Sequence, residues 1–359
     1  MKAVLLIFLS FATFALYGQS TSRTIHVEEV GTLKNYLTEE DKSTITDLTL
    51  TGYINGDDVV AIRSIQNLSS LDLRNLNIRK GGKFTSGPYP STIREDNSIA
   101  SFMFCWLDNL QSIILPENAT FIGESAFEDC KSLSYVELGP KIDSIATSAF
   151  YVCSSLKSMN FPESLKCIKS QAFSGCGFEE LVVPRSITKI ESSVFAACNI
   201  KKLTIYDNIQ TIEFQAFRTC TDLKDIYWIG TNPTVIESRS AFEVWDDPDA
   251  IYDNCTLHVP KGYGLYFSIM MYWKDFKTIV EYDPTSITDS QIDDDVKVYA
   301  DLDKIVVKGL NAGQSVIIYN SFGVLIKDLK SSNDEIEFSL PVNQLYLVKV
   351  GNKTTKVTL

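Results

Sequence analysis

The sequence predicts a mainly β protein in two parts: a solenoid with one short parallel strand per rung and short helical or irregular segments, then a small antiparallel β-sandwich. Three observations predict it. A five-residue word recurs every 22 to 25 residues through the middle of the chain. An alternating apolar motif lies between successive copies of that word. Beyond residue 284 the word disappears and short alternating runs take over. The 359 residues are 45% hydrophobic and 22% charged, which supplies a sizeable core and argues against wholesale disorder. Only 18 Gly and 11 Pro exclude collagen-like and Pro-rich fibrous classes.

The chain opens MKAVLLIFLSFATFALYG, with Lys2 followed by an apolar run from Ala3 to Leu16. That is short for a membrane span and reads as a secretory signal peptide, with cleavage expected after Gly18 and a mature formal charge of −13 against −12 for the whole chain. No other stretch approaches the ~20 apolar residues that a bilayer requires. No cysteine precedes Cys105, so lipidation behind the signal is excluded.

The repeated word is a small residue, Phe, two variable residues and Cys. Its copies are SFMFC (101–105), AFEDC (126–130), AFYVC (149–153), AFSGC (172–176), VFAAC (194–198) and AFRTC (216–220). Phe102, Phe127, Phe150, Phe173, Phe195 and Phe217 are spaced by 25, 23, 23, 22 and 22, and Ala241-Phe242 forms a seventh copy without the cysteine. Between the copies lies L-x-x-h-x-h, where h is apolar: LQSIIL (110–115), LSYVEL (133–138), LKSMNF (156–161), FEELVV (178–183), IKKLTI (200–205) and LKDIYW (223–228), with ITDLTL (45–50) and LSSLDL (68–73) upstream. A period of two marks a strand, and Pro116, Pro162 and Pro184 each end one. A third apolar element precedes the Phe by five: Ile122, Ile145, Ile168, Ile190 and Ile212. A single strand and turn cannot cover its own apolar face, but stacked copies cover one another. The first, fourth and sixth strand positions then point inward with the Ile and Phe.

Six of the eight cysteines fall on one repeat position. A residue repeated at one rung position forms a ladder, and free Cys behaves as a small buried hydrophobe, so a buried thiol ladder is the expectation. Rungs about 4.8 Å apart lie within disulfide reach, which leaves an occasional bridge open. Zinc is disfavoured, because there is no C-x-x-C and no nearby His. Cys167 and Cys255 fall outside the register.

After Asp283-Pro284 come VKVYA (296–300), KIVVKG (304–309), QSVIIYN (314–320), GVLIKDL (323–329), EIEFSL (335–340), LYLVKV (345–350) and KTTKVTL (353–359). Seven short strands in so few residues read as an antiparallel sandwich. From Thr285 onward ten acidic residues face eight basic ones.

The AFxxC anchors, the strand-Pro element and the step Ile122-Gly-Glu-Ser-Ala-Phe127 resemble the BspA-like leucine-rich repeats. The resemblance runs from about residue 44 to 282, with an opening segment over 30–59 and a closing one, CTLHVPKGYGLYFSIMMYWKDFKTIVEYD, over 255–283. It implies a leucine-rich repeat solenoid on the outside of the cell, because such proteins are bacterial surface and secreted proteins associated with adhesion, with relatives in some parasitic protists. Two segments depart from the pattern: the insertion 79–97, and the stretch 231–254 with its acidic EVWDDPDAIYDN. VIIYNSFGVLIKDL and the final LYLVKVGNKTTKVTL resemble the C-terminal sorting domains read by the type nine secretion system, although Gln344 stands where that family usually has Gly. The organisation expected is a signal peptide over 1–18, an N-terminal cap and first rung over 19–67, repeats with a C-terminal cap over 68–284, a linker over 285–295 and the sandwich over 296–359.

Chemistry finds little support in the residues. A pI near 4.8 argues against nucleic acid, and the absence of a Lys/Arg run longer than a pair or so argues against adhesion to anionic membranes. The two histidines, His26 and His258, lie far apart, and no phosphate-binding loop is present. Asp246, Asp247 and Asp249 are candidates for a Ca²⁺ loop or a carboxylate pair, but match no complete motif and read as a solvated loop. No catalytic, cofactor or metal residue is therefore expected, and the chain is read as a non-enzyme. The remaining functional surface is the outward third and fifth strand positions. They give the candidate ligand residues Ile114, Tyr135, Glu137, Asn160, Glu180, Val182, Lys202, Thr204, Asp225 and Tyr227. The expected function is an adhesin-like grip on a protein or glycan at the outer surface of a Gram-negative bacterium, or in its secreted medium. The alternative is a structural spacer without a specific ligand.

Overall fold

The computed structural model describes residues 21–231, 233–283, 297–301, 304–310, 313–320, 325–340, 345–350 and 353–358. The expected signal peptide and linker lie outside the described residues. Two parallel sheets carry the strand side of the solenoid. In the first, Thr21–Val27 pairs with Ile45–Ile54, followed by Ser70–Asp72, Ser112–Ile114 and Tyr135–Glu137. In the second, Glu180–Val182, Lys202–Tyr206, Asp225–Ile229, Thr256–Pro260 and Thr278–Tyr282 follow in chain order. Register aligns the inward residues: Leu48 with Leu71, Ile113 and Val136, then Leu181 with Leu203, Ile226 and Leu257. All eight are buried. The N-terminal cap adds helices Glu39–Thr44 and Gly56–Arg63, each opened by a capping box, Thr38 with Asp41 and Asn55 with Asp58.

The AFxxC turn is built by alternating backbone handedness. The residues two before and two after each ring are left-handed: Ser125 and Asp129 around Phe127, Ser148 and Val152 around Phe150, Gln215 and Thr219 around Phe217. This alternation aims every second N–H at the next rung. Phe127 donates to the Ala149 carbonyl (2.8 Å), Phe150 to Ala172 (2.8 Å), Phe173 to Val194 (3.0 Å), Phe195 to Ala216 (3.0 Å) and Phe217 to Ala241 (2.8 Å). Inside, seven rings from Phe104 to Phe242 stack with centroids 5.0 to 5.8 Å apart. Beside them the thiols of Cys130, Cys153, Cys176 and Cys198 each donate to the preceding rung's Phe carbonyl at 3.1 Å, and Cys220 does so at 3.2 Å. These are free thiols.

The first copy of the word is read two residues out of register. Phe104, not Phe102, donates to Ala126 and stacks on Phe127. Phe102 takes the left-handed position and leaves the core to stack on Tyr89 at 4.6 Å. The ladder therefore holds five cysteines rather than six, and Cys105 bonds within its own turn, to the Phe102 carbonyl. The spacing from Phe104 to Phe127 is 23, like its neighbours, and Ile99 sits five before Phe104 as the other Ile residues do. The insertion 79–97 folds as the hairpin Gly81–Ser86 and Tyr89–Ile93.

A second correction concerns LKSMNF: residues 156–161 form no strand, and both strand sheets stop there. The outer residues Ser158 and Asn160 and the central Met159 lack the β-branched or aromatic character of the other rungs. The flanking positions are enlarged, since Phe161 and Phe178 both press on Phe173, with centroids 5.6 and 5.5 Å away. The link after Cys176 is also one residue shorter than that after Cys153, and it brings the chain so close that a Cβ on Gly177 would lie 2.2 Å from the Ser154 carbonyl. On the return side, the sheet ending at Cys167–Ile168 and the sheet starting at Lys189–Ile190 are likewise unpaired with each other.

At the C-terminus, Lys297–Asp301, Lys304–Lys308 and Glu335–Ser339 form one antiparallel sheet. Leu325–Lys330, Ser315–Asn320, Leu345–Val350 and Lys353–Thr358 form another. Ile305, Val307 and Phe338 of the first share a core with Val316, Ile318, Tyr346, Val348 and Val350 of the second. That core is separate from the solenoid's. All seven strands coincide with the predicted runs to within about two residues.

Candidate ligand-binding face

Nine of the ten candidate residues fall into two groups on either side of the break, and the tenth, Asn160, lies in it. In the first, Ile114 is 3% exposed and so is not part of a recognition surface. It sits between Asp72 and Glu137 in register. Arg74, from the rung before, reaches across its strand to the Glu137 carboxylate at 3.4 Å. Tyr135 donates to the same carboxylate at 3.2 Å. Burial, then Glu137, pushes the Tyr135 phenol far above its ordinary range. This part of the face is closed by its own hydrogen bonds. Asn160 is exposed but lies on the unpaired rung.

The second group is the one the structure brings together. Val182, Thr204 and Tyr227 follow one another in register across three strands, and the same row continues through His258 and Val280. A parallel row holds Glu180, Lys202 and Asp225, then Thr256 and Thr278. The Tyr227 and His258 rings stack at 4.2 Å with 4° between planes. Lys202 stands 5.1 Å from the Tyr227 centroid, and Asp225 bonds His258 Nε2 at 2.7 Å. Burial, then Asp225, raises the Tyr227 pKa. Tyr282 lies 6.5 Å from Tyr227 and donates to the Trp228 carbonyl, its phenol pushed up to about 12 by burial. Val182 and Val280, at the two ends of the row, are 45% and 42% exposed. The result is a preorganised aromatic and aliphatic strip with a cation and a carboxylate at its margin. Its outward groups include neither a nucleophile–base pair nor facing free acids.

His258, Val280 and Tyr282 are functional candidates that sequence reasoning missed. The signal was present, because TLHVP repeats the alternation of the earlier strands and sets His258 where Tyr227 stands one rung before.

The acidic loop is organised by Arg239. Its guanidinium pairs with Glu243 (3.2 Å), Asp275 (3.1 Å) and Asp249, and lies 4.5 Å from the Tyr252 centroid. No group of three or more potential metal-ligating side chains occurs among the described residues.

This geometry defines a leucine-rich repeat solenoid followed by an antiparallel β-sandwich. Residues 83–201 and 144–244 match the family model described as the BspA type leucine rich repeat region, in six copies. No curated protein matches. Among solved structures, the chain is similar to the leucine-rich repeat protein of T. pallidum, with 26% identity, 39% of this chain and 64% of that one covered, and a TM-score of 0.35. It is also similar to a leucine rich cell surface protein from Faecalibacterium prausnitzii (21%, 50% and 62%, TM-score 0.33) and to a leucine-rich repeat protein from Bacteroides ovatus (20%, 61% and 64%, TM-score 0.30). The match spans less than two thirds of each of those chains.

Proposed function

We propose that this is an exported cell-surface repeat protein that holds a macromolecular ligand, protein or glycan, on the outer face of its second strand sheet and does no chemistry on it. The observation that carries the reading is the row Val182, Thr204, Tyr227, His258 and Val280, with its stacked Tyr227–His258 pair and exposed valines. Rigid aromatic groups that are already stacked lose little entropy on binding. Export and surface location are supported by the BspA type repeat match and the apolar opening of the sequence. The sandwich is proposed to serve as the export or attachment module at the outer envelope, which deletion of residues 296–359 tests by trapping the solenoid inside the cell.

The test of binding is adhesion of the purified protein to cells and matrix preparations. Tyr227→Ala and His258→Ala should each weaken saturable binding at least tenfold, corresponding to about 1.4 kcal/mol, while Asn160→Ala leaves it unchanged. Equal adhesion by all three variants would remove the strip from consideration. No saturable binding of the parent protein to any preparation would leave the spacer reading.

A further inference from the structure

We propose that the ligand of the strand-face strip is a protein and not a glycan, and that its neutral acceptor groups meet the Tyr227 hydroxyl and the outward edges of the Tyr227 and His258 rings; this assignment rests on the strand-face reading and narrows it. The Tyr227 ring is occupied on both faces. His258 stacks on one, at 4.2 Å with 4° between planes, and Lys202 stands over the other, 5.1 Å from the centroid. Strand order sets the two sides, because Lys202 comes from the strand before Tyr227 and His258 from the strand after it. The second face of His258 is turned toward Val280, next in register. Side chains stand roughly perpendicular to a sheet, so the stack offers ring edges and the Tyr227 hydroxyl to the outside. That hydroxyl makes no hydrogen bond among the described residues. Burial, then Asp225, raises its pKa, which keeps it a donor.

Sugars are drawn to such a surface in two ways, and the strip offers neither. A neutral sugar lays its C–H groups on an open aromatic face, the electron-rich part of the ring. Here those faces are spent on one another and on Lys202. An anionic sugar is drawn by net positive charge. Lys202 is flanked in register by Glu180 and Asp225, in a chain of net charge −12. Ring edges, by contrast, carry the positive end of the quadrupole and favour carbonyl oxygens and the faces of a partner's aromatic rings. Val182 and Val280, exposed at the two ends of the row, favour apolar side chains. Carbonyls, aromatic faces and apolar side chains occur together on the surface of a protein. Because charge does not select this partner, its binding is expected to be insensitive to salt.

The test is saturable binding of the full chain to a matrix preparation that has been digested with protease, oxidised with periodate or left untreated. Proteolysis of the preparation should lower the Tyr227-dependent binding, the part that Tyr227→Ala removes, by about tenfold or more. Periodate cleavage of sugar diols, and assay in high salt, should each leave it within about twofold. Tyr227→Phe keeps the stack and removes the hydroxyl, and should weaken binding about fivefold with the denaturant midpoint unchanged. Three results would each overturn the proposal. Loss of binding on periodate treatment, whether or not proteolysis also removes it, would assign the strip to a glycan. A fall of about tenfold in high salt would assign it to a charged ligand. Parent-like binding by Tyr227→Phe would take the hydroxyl out of recognition. Binding that Tyr227→Ala leaves intact would overturn the strand-face reading itself, and this assignment with it.

Discussion

The turn side and the strand side of this solenoid are built from the same rungs, yet one is continuous and the other is not. On the turn side, Phe rings and N–H groups pass from rung to rung without a break from Phe104 to Phe242, and the thiols do so from Cys130 to Cys220. On the strand side, pairing stops at residues 156–161 and resumes at Glu180–Val182. Cohesion of the array therefore resides in the AFxxC turns, which repeat one geometry with little tolerance. The strand sheets need only an inward apolar set, so their outward residues are free to differ between rungs. That freedom lets one half of the face close on itself through Arg74, Tyr135 and Glu137, while the other assembles the Tyr227–His258 strip.

The widest separation of the two sides is expected in stability. Phe150 is fully buried and stacks on Phe127 at 5.0 Å and on Phe173 at 5.2 Å. Phe150→Ala should cost about 3–5 kcal/mol. Asn160→Ala, on the unpaired rung of the strand side, should stay within about 0.5 kcal/mol. Denaturant midpoints measure both, and similar losses would show that the turns do not carry the array.

The thiol ladder sharpens the same contrast through pH. Burial holds the thiols of Cys130, Cys176 and Cys198 well above their ordinary range and that of Cys220 at about 12. Unfolded thiols release their protons near pH 8.5, roughly. The folded state binds the proton more tightly, so the ladder's contribution is whole below that value. It is lost as pH rises from there toward about 12, where Cys220 ionises in the fold. The denaturant midpoint should fall across this window, and Cys220→Ala should shallow the fall. An unchanged midpoint between pH 8 and 10 would mean that the thiols are not sealed in the turns.

Much of the fold was legible because the repeat states the same geometry many times. Single copies were where reading failed. SFMFC matches the word while its structural ring is Phe104, and only the odd spacing of 25 and the position of Ile99 betray the shift. LKSMNF satisfies the alternation, but whether it pairs depends on how its own Phe161 and the next rung's Phe178 share the space against Phe173 and on the closeness of Gly177 to Ser154, which are contacts between rungs. Half of the candidate face suffered likewise. Alternation places Ile114 outward, yet a bridge between side chains 63 positions apart, Arg74 and Glu137, encloses it. His258 was visible as a strand residue, but its stacking on Tyr227 follows from cross-rung register, which alternation within one rung does not encode.

The finest test lies at the left-handed turn position after each ring. Asp129, Gly175 and Ala197 occupy it in three rungs, whereas Val152 after Phe150, at φ 59°, and Thr219 after Phe217, at φ 61°, are β-branched. A β-branched residue meets a steric penalty in that region, on the order of 1–2 kcal/mol, which Asn largely avoids. Opposing this, a Val152 methyl lies over the next turn, 3.4 Å from where a Cβ on Gly175 would stand. The side chain is only half-buried, so little packing is lost with it. Relief of strain should outweigh that loss, and Val152→Asn should raise the denaturant midpoint by the equivalent of about 1 kcal/mol. A lower midpoint would instead make contact between turns, rather than backbone handedness, the main term at this position. The turn side would then be cohesive chiefly through its side chains.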